Sequence, residues 1–284
     1  MKKINSTLYL LLLPVLAWLI ISIVVPHLDL LFKSFRFEND DGLMVFSLNN
    51  YLAFFEDEIY WLTFVKTALY SIGITFLAFV VTFPVAFYLT KVVAKKYSSF
   101  MVLLLLIPIW IGELVTIYGW MILLSDSGVI NQFLLSIGII DSPIEMLYTN
   151  FSMTIGLLYM SMLFMIIPMM SALESLDDSL IEAASDLGAS KWTIFRQIII
   201  PYTIPGIASG SIIVFMLVIG DYVAPNILGG KSSLWFTEQI YNEFLSTFNW
   251  NEGAAFGFLL LLLSSGIVWL ALKLTGQKLD RVGS

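Results

Sequence analysis

Six long apolar runs constrain this chain more than any other feature of its sequence. A helix needs about 20 apolar residues to cross the hydrocarbon core of a membrane, and the strands of a membrane barrel would instead alternate apolar and polar residues. These runs of Leu, Ile, Val and Phe do not alternate. The predicted spans are Leu8–Val25, Phe64–Leu89, Phe100–Leu124, Asn150–Leu173, Ile204–Ile219 and Ala254–Leu272. We therefore predict an all-α integral membrane protein in which residues 1–284 form one transmembrane domain.

The composition supports a membrane protein and argues against catalytic chemistry. Of the 284 residues, 59% are hydrophobic and 12% are charged, whereas soluble domains carry about 25% charged residues. The absence of cysteine excludes disulfides and thiolate metal sites. The single histidine, His27, follows Pro26 at the predicted end of the first span and cannot form a metal site alone. Because the carboxylates are scattered, no catalytic cluster is evident, and we predict neither an enzyme nor a bound metal.

The distribution of positive charge predicts the orientation, since loops rich in Lys and Arg stay in the cytosol. Ten such residues fall on one side of the predicted topology and three on the other, which places both termini in the cytosol. The ten are Lys2, Lys3, Lys91, Lys95, Lys96, Lys191, Arg196, Lys273, Lys278 and Arg281, and the three are Lys33, Arg36 and Lys231. The first run resembles a secretory signal but lacks a small-x-small cleavage site, so we expect an uncleaved helix.

The largest predicted cytosolic segment, residues 174–203, is polar although it lies between two apolar spans. Ser179 and Glu182 have the spacing of a capping box. Apolar residues follow at helical spacing, and Gly188 is suited to end that helix. Ser190 is suited to begin a second short helix, and Pro201 to end it before the fifth span. The apolar residues at helical spacing are Leu180, Ala183, Ala184 and Leu187. The pattern predicts a helix–turn–helix at the membrane surface. Periodicity alone fits a stable connector between the two spans equally well.

The sequence "EAASDLGASKWTIFRQIIIP", Glu182–Pro201, resembles the EAA loop of binding-protein-dependent ABC importer permeases, and we call it the EAA segment. Glu, Ala, Ala, Gly, Ile and Pro occupy the spacings of that family, with Ile200 in the place of Leu. The resemblance implies a type I ABC importer permease with a coupling helix that docks on an ATP-hydrolysing subunit. The residues expected to serve this coupling are Glu182, Ala183, Ala184, Asp186, Gly188 and Pro201.

The same resemblance implies the partners of the chain. They are a homologous second permease subunit, two ATP-binding subunits, an external substrate-binding protein and the membrane lipid, with no nucleic acid. The sequence "GGKSS", Gly229–Ser233, is not a phosphate-binding loop, because Pro225 stands where that motif needs glycine. We therefore expect no cofactor in this chain, and expect ATP with Mg²⁺ to be held by the partner ATPases.

Two carboxylates near or within the spans are candidates for a substrate path. A charge at the bilayer centre costs about 2.5–3.5 kcal/mol on insertion scales. Glu113 lies in the middle of the predicted third span, and Asp221 lies at the outer end of the fifth. Carboxylates bind ammonium groups, and the aromatic rings of Trp110, Tyr118 and Tyr222 offer cation–π contacts.

Each of these residues also has a structural interpretation. Glu113 pairs with Lys66 or with another subunit in that case, Asp221 caps its helix, and the aromatic side chains belong to the interfacial belts of the membrane. If two identical chains formed the pore, two copies of Glu113 would repel one another. A distinct partner permease is therefore favoured.

Several segments together resemble the spermidine/putrescine-type permeases over nearly the whole chain. They are "NNYLAFFED", "PIWIGELVTIYGW", "INQFLLSIGIIDSPIEMLYT", the EAA segment and "GDYVAPNILGG". The resemblance implies import of a small cationic polyamine by alternating access in a bacterial inner membrane. Thr116 stands where relatives often carry Arg, so substrate contacts do not transfer directly. Importers of opines, aminophosphonates, thiamine or ferric iron remain alternatives, as does an ion-driven secondary transporter with Glu113 as proton carrier.

Overall fold

The computed structural model describes residues 6–39, 41–230 and 233–276. Five of the positive charges used to predict the orientation lie outside these ranges: Lys2, Lys3, Lys231, Lys278 and Arg281. The described part is almost entirely helical. Its α-helices are α1 Ser6–Leu19, α2 Val25–Ser34, α3 Asn49–Glu56, α4 Glu58–Phe87, α5 Lys95–Leu106, α6 Glu113–Leu124, α7 Val129–Ser136, α8 Asn150–Glu174, α9 Asp178–Asp186, α10 Lys191–Ile194, α11 Ile200–Gly220, α12 Phe236–Leu245 and α13 Trp250–Thr275. Two short strands, β1 Arg36–Glu38 and β2 Met44–Phe46, form an antiparallel hairpin.

Six helical segments of the described chain are long and apolar enough to cross a membrane, as predicted. They are Leu11–Ser34, Glu58–Val92, Glu113–Ser136, Asn150–Glu174, Lys191–Gly220 and Trp250–Thr275. Several of these segments are longer than the apolar runs from which they were predicted, because helical backbone continues into polar sequence.

The first span continues past the proline at which we expected it to end. A π-helical turn, Ile20–Val24, links α1 to α2, and the N–H of Val25 bonds to the carbonyl of Ile20. Pro26 follows as the second residue of α2, directly after this wider turn, and the helix continues to Ser34. His27 consequently lies inside a helix rather than at its end, and its Nδ1 is 2.7 Å from the Ile23 carbonyl oxygen.

The predicted end of the second cytosolic helix at Pro201 is wrong for the same reason. Another π-helical turn, Phe195–Ile199, joins α10 to α11, and the N–H of Ile200 bonds to the carbonyl of Phe195. Pro201 is then the second residue of α11 and is exposed. The EAA segment therefore runs into the fifth span without a break.

The third predicted span, Phe100–Leu124, is not a single helix. Helix α5 ends at Leu106, a 3₁₀ turn occupies Ile107–Trp110, and α6 begins at Glu113 after the extended residue Gly112. Pro108 lies within the 3₁₀ turn, and because it lacks an N–H it cannot continue the α-helical bonding. Glu113 is thus the first residue of a helix and not the middle of one.

The described residues divide into two units, of which the first contains residues 6–62 and 239–262. In this unit the hairpin is anchored by Asn50, whose amide donates to the carbonyl oxygens of Ser34 at 2.9 Å and Arg36 at 2.7 Å. The ring of Phe35 stacks on that of Phe46 with centroids 5.9 Å apart. The acidic sequence Phe55–Glu58 also belongs to this unit.

The second unit, residues 63–238 and 263–276, has α8 and α11 packed together at its centre. The two helices approach closely at Gly206 and Gly210, where a Cβ atom would overlap the Pro168 carbonyl oxygen or the Met165 sulfur. Small residues four apart allow such an approach in membrane helices. Methionines of α8 fill the core beside this contact, where their flexible side chains adapt to the gaps between helices. The fully or nearly fully buried ones are Met153, Met165, Met169 and Met170.

Candidate coupling helix and transport cavity

The first helix of the predicted helix–turn–helix is α9, Asp178–Asp186, and it begins earlier than its sequence suggested. Asp177 is its N-cap, and the carboxylate of Asp177 accepts the N–H of Ser179 at 2.9 Å. This hydrogen bond is the largest of the effects that lower the pKa of Asp177 below its usual value. The predicted capping box of Ser179 and Glu182 is therefore wrong, because a better acceptor precedes it. Glu182 lies in the middle of α9, where its side chain is exposed.

The C-terminal end of α9 is as predicted. Gly188 has a φ of +81°, a conformation that is cheap only for glycine. The N–H of Gly188 bonds to Ser185 at 2.9 Å, and that of Ala189 bonds to Ala184 at 3.0 Å. These two bonds form a Schellman motif. Ser190 then caps α10 by accepting the N–H of Thr193 at 3.2 Å, which confirms the predicted second helix start.

The two faces of α9 differ in burial. Ile181 and Ala184 pack against the core of the second unit, whereas Leu180, Ala183 and Leu187 of the predicted apolar periodicity are exposed. Leu187 is 89% exposed and Trp192, in the following helix, is 66% exposed. The predicted coupling residues Glu182, Ala183 and Asp186 are also exposed. The exposed face of α9 therefore presents the apolar side chain of Leu187 and the carboxylates of Glu182 and Asp186 together, with the small side chain of Ala183 among them.

A cavity of about 430 Å³ in the second unit contains three of the predicted path residues. Glu113 comes from the start of α6, and Asp221 and Tyr222 come directly after α11. The opposite wall belongs to α8. The other lining residues come from α8, the end of α11 and the segment after it, and are Leu157, Met160, Ser161, Phe164, Leu217, Val218, Gly220 and Val223. The broken third span and the end of the fifth therefore bring two carboxylates into one cavity.

The environment of Asp221 disfavours its charged form. Burial, the largest cause, raises the pKa of Asp221 to about 7, and the neighbouring carboxylate of Glu113 also raises it. The N–H of Ala224 donates to the Asp221 carboxylate at 3.0 Å and opposes this shift. The hydroxyl of Thr237 donates to the Asp221 backbone carbonyl at 2.6 Å. Asp221 is therefore both a structural cap and a titratable group of the cavity.

Two other predicted path residues lie elsewhere. Trp110, in the 3₁₀ turn, is 90% exposed, and Tyr118 is about half exposed; neither lines the cavity. Lys66, the suggested partner of Glu113, interacts electrostatically with Glu238 instead. Burial is the largest effect on the pKa of Glu238 and raises it, and the positive charge of Lys66 opposes part of that rise. The ammonium of Lys66 lies 5.8 Å from the centroid of the Tyr70 ring.

Sequence reasoning missed the α8 wall of the cavity. Ser161 is a buried hydroxyl within an apolar helix, a signal that marks a candidate pore position. Met160 and Phe164 gave no such signal, because they are indistinguishable in sequence from lipid-facing or core residues.

Comparison with known proteins decides the family. The model of a family described as "Binding-protein-dependent transport system inner membrane component" matches residues 78–275. The chain belongs to this family. The match includes the EAA segment, both cavity carboxylates and the whole of α8 and α11.

Relatives of this permease with similar length are spermidine/putrescine transport system permease proteins named PotB. The PotB protein of Salmonella typhimurium (strain LT2) is 34% identical over 273 residues, which cover 94% of each chain. That of Escherichia coli (strain K12) is 34% identical over 271 residues, covering 94% of this chain and 98% of the relative. PotC of the same E. coli strain is 37% identical over only 79 residues, 28% of this chain.

Solved structures identify the fold. A bacterial ABC transporter involved in the import of the acidic polysaccharide alginate matches with a TM-score of 0.77 at 20% identity, covering 95% of this chain and 94% of that one. The alginate transporter in complex with a periplasmic protein bound to an alginate pentasaccharide gives a TM-score of 0.79 at 20% identity, covering 96% of each chain. The permease thus has the six-span type I importer fold and is a multi-pass protein of the inner membrane.

Proposed function

We propose that this permease imports a small cationic solute, a polyamine such as spermidine or putrescine, through the cavity that contains Glu113 and Asp221. The single observation that carries the proposal is the placement of these two carboxylates in one cavity of about 430 Å³ beside aromatic Tyr222 and Phe164. Carboxylates bind the ammonium ends of a polyamine, and aromatic faces attract cations while packing against methylene chains. The similarity to PotB supports the same substrate class.

The charge of the cavity also separates this permease from its structural neighbours. A cavity with two carboxylates repels an acidic polysaccharide, although the neighbour with a TM-score of 0.77 belongs to an alginate importer. A shared fold does not define a substrate. Substrate class therefore follows from the cavity residues and the PotB relatives rather than from the structural neighbours.

The energy for import comes from ATPase subunits in separate chains, and α9 is the helix that couples them to the permease. Exposed Leu187 and the exposed carboxylates of Glu182 and Asp186 support a docking role, because they lie in polar sequence between two spans, where an exposed apolar side chain is available to a protein partner. A homologous second permease, two ATPases and an external binding protein complete the importer. The side that carries α9 faces the cytosol, together with both termini.

The test is transport by the complete complex in proteoliposomes with its binding protein. We expect ATP-dependent uptake of labelled spermidine or putrescine that vanadate inhibits and that a protonophore does not. ATP hydrolysis stimulated by an opine, an aminophosphonate, thiamine or ferric iron instead of polyamines would retain the importer and reject the polyamine. Uptake that survives vanadate but not the protonophore would reject ATP-driven transport altogether.

A further inference from the structure

Lys91 makes contacts that its position in the sequence does not suggest. It belongs to the π-helical turn Tyr88–Val92, which follows α4 and packs against α8. Its side chain is only 8% exposed. A lysine buried to this degree needs compensating partners, because removal of an ammonium group from water is costly.

Both partners of Lys91 lie at the entrance to α9. The ammonium nitrogen donates to the backbone carbonyl of Leu176 at 2.6 Å and lies 2.6 Å from the carboxylate of Asp178. Leu176 is part of the connection between α8 and α9, and Asp178 is the first residue of α9. One lysine therefore bonds to the backbone before α9 and to the side chain at its first residue.

The surroundings fix this arrangement. Leu89, in the same π-helical turn, is buried in one core with Leu173 and Leu176. The carboxylate of Asp178, by contrast, is on a side chain that is 69% exposed. The apolar contacts hold the turn against the end of α8, and the ammonium supplies the directional bonds. Such charge-assisted hydrogen bonds are short and stronger than neutral ones.

The covalent chain does not connect the second span directly to α9. Helix α9 continues from α8 and leads into α10 and α11, whereas Lys91 precedes Asp178 by 87 residues. A displacement of α9 reaches α8 and α11 along the backbone, but it reaches the second span, Glu58–Val92, only through noncovalent contacts. The two bonds of Lys91 are contacts of this kind between the second span and the entrance to α9, and they are charge-assisted and directional.

We propose that Lys91 is a positioning residue that transmits the movement of α9 to the second span by clamping the entrance of the helix. This inference rests on the proposed coupling role of α9. It predicts that loss of the clamp separates ATP hydrolysis from transport without preventing assembly.

The test uses the assembled complex in proteoliposomes and measures spermidine imported per ATP hydrolysed. Lys91→Met keeps the stem and removes the ammonium, and we expect it to lower this ratio about tenfold, the equivalent of about 1.4 kcal/mol. Asp178→Asn neutralises the charge of one of the two acceptors while the amide oxygen can still accept a hydrogen bond, and it should lower the ratio less. The double variant should be no worse than Lys91→Met, since the two residues act together. Lys91→Arg retains a cationic donor and should restore most of the ratio.

The matched control is Lys95→Met, which removes an exposed lysine four residues along the chain and should leave the ratio unchanged. A merely structural role of Lys91 would reduce the yield of complex while each assembled complex kept the wild-type ratio. That result, or a wild-type ratio in Asp178→Asn, would overturn the inference. If Lys91→Met does not assemble, Asp178→Asn decides alone, because its side chain is largely exposed.

Failure of the coupling proposal is separately recognisable. Gly188→Val disrupts the end of α9 without touching Lys91. If Gly188→Val leaves the ratio intact, α9 does not couple the ATPase and both proposals fall. If Gly188→Val lowers the ratio and Lys91→Met does not, only the role of Lys91 is rejected.

Discussion

Glu113 and Asp221 show how far single residues can be interpreted without a structure. Each carboxylate was a candidate because charge near a membrane interior is expensive, but their meeting in one cavity depends on the break at Ile107–Trp110, which places Glu113 at a helix start. Hydropathy does not reveal this break, since the broken segment is as apolar as a continuous span. Trp110, which the sequence also indicates for the path, lies in this 3₁₀ turn and outside the cavity.

Glu113→Gln should reduce spermidine uptake about tenfold or more, because one charge-assisted hydrogen bond contributes about 1.5–3 kcal/mol. Labelled uptake in proteoliposomes measures the effect. Glu145→Gln, which neutralises an exposed carboxylate outside the cavity, is the control and should transport normally. Equal uptake by both variants would remove Glu113 from the transport path.

Transport should also depend on pH through Asp221. Burial raises the pKa of Asp221 to about 7, and a carboxyl must lose its proton to attract an ammonium group. Between pH 8 and pH 6 a growing fraction of Asp221 is protonated and loses its charge. The KM for binding-protein-delivered spermidine should therefore rise as pH falls. In Asp221→Asn the KM should be higher and flat over this range; an unchanged pH profile would exclude Asp221 as its source.

At the scale of helices, the end of α9 was predictable and the prolines were not. Gly188 follows an apolar periodicity and precedes a serine cap, which is a local signal that the structure confirms. Pro26 and Pro201 looked like helix ends, but each follows a π-helical turn that continues the helix. A membrane helix cannot expose free backbone groups to lipid, so it satisfies them by such local adjustments. Sequence patterns drawn from soluble helices do not contain this constraint.

Substitutions at Gly188 should separate backbone conformation from side-chain volume. A Cβ atom added at Gly188 would meet no other atom within 4 Å, so a substitution faces no steric obstacle other than the φ of +81°. Valine is strongly disfavoured in this conformation, whereas asparagine adopts it more readily. Gly188→Val should lower spermidine imported per ATP several-fold, and Gly188→Asn should stay near wild type. If both variants keep the wild-type ratio, α9 does not couple the ATPase; if both lower it equally, loss of the glycine and not the backbone conformation of the turn is the cause.

The contact between α8 and α11 should be intolerant of one methyl group. A Cβ at Gly206 would overlap the Pro168 carbonyl oxygen and the Cβ of Ala172. Overpacking of this kind costs about 1–3 kcal/mol, so Gly206→Ala should lower the thermal unfolding midpoint of the detergent-solubilised protein. Gly73→Ala adds the same methyl group where no atom lies within 4 Å and should not lower it. A midpoint unchanged in Gly206→Ala would contradict the close packing.

For the whole molecule, the sequence predicted the number of spans and the family better than it predicted the walls of the proposed transport cavity. Six apolar segments follow from the thickness of a membrane, and the EAA segment indicates the importer class through its resemblance to the loop of that family. The cavity proposed as the substrate path has walls from α6, α8 and the end of α11. Ordinary apolar residues such as Met160 and Phe164 form part of these walls, and their position follows only from how the helices pack.

The absence of cysteine permits a direct test of the proposed orientation. Ser185→Cys places a single thiol on the exposed face of α9, and Ser142→Cys places one in an exposed loop before α8. With α9 in the cytosol and the crossings Glu113–Ser136 and Asn150–Glu174 of the described chain, these positions lie on opposite sides of the membrane. A membrane-impermeant maleimide should label Ser142→Cys in spheroplasts, and Ser185→Cys only after permeabilisation. The reverse pattern would place α9 outside, where no ATPase could dock, and would reject the proposed coupling together with the orientation.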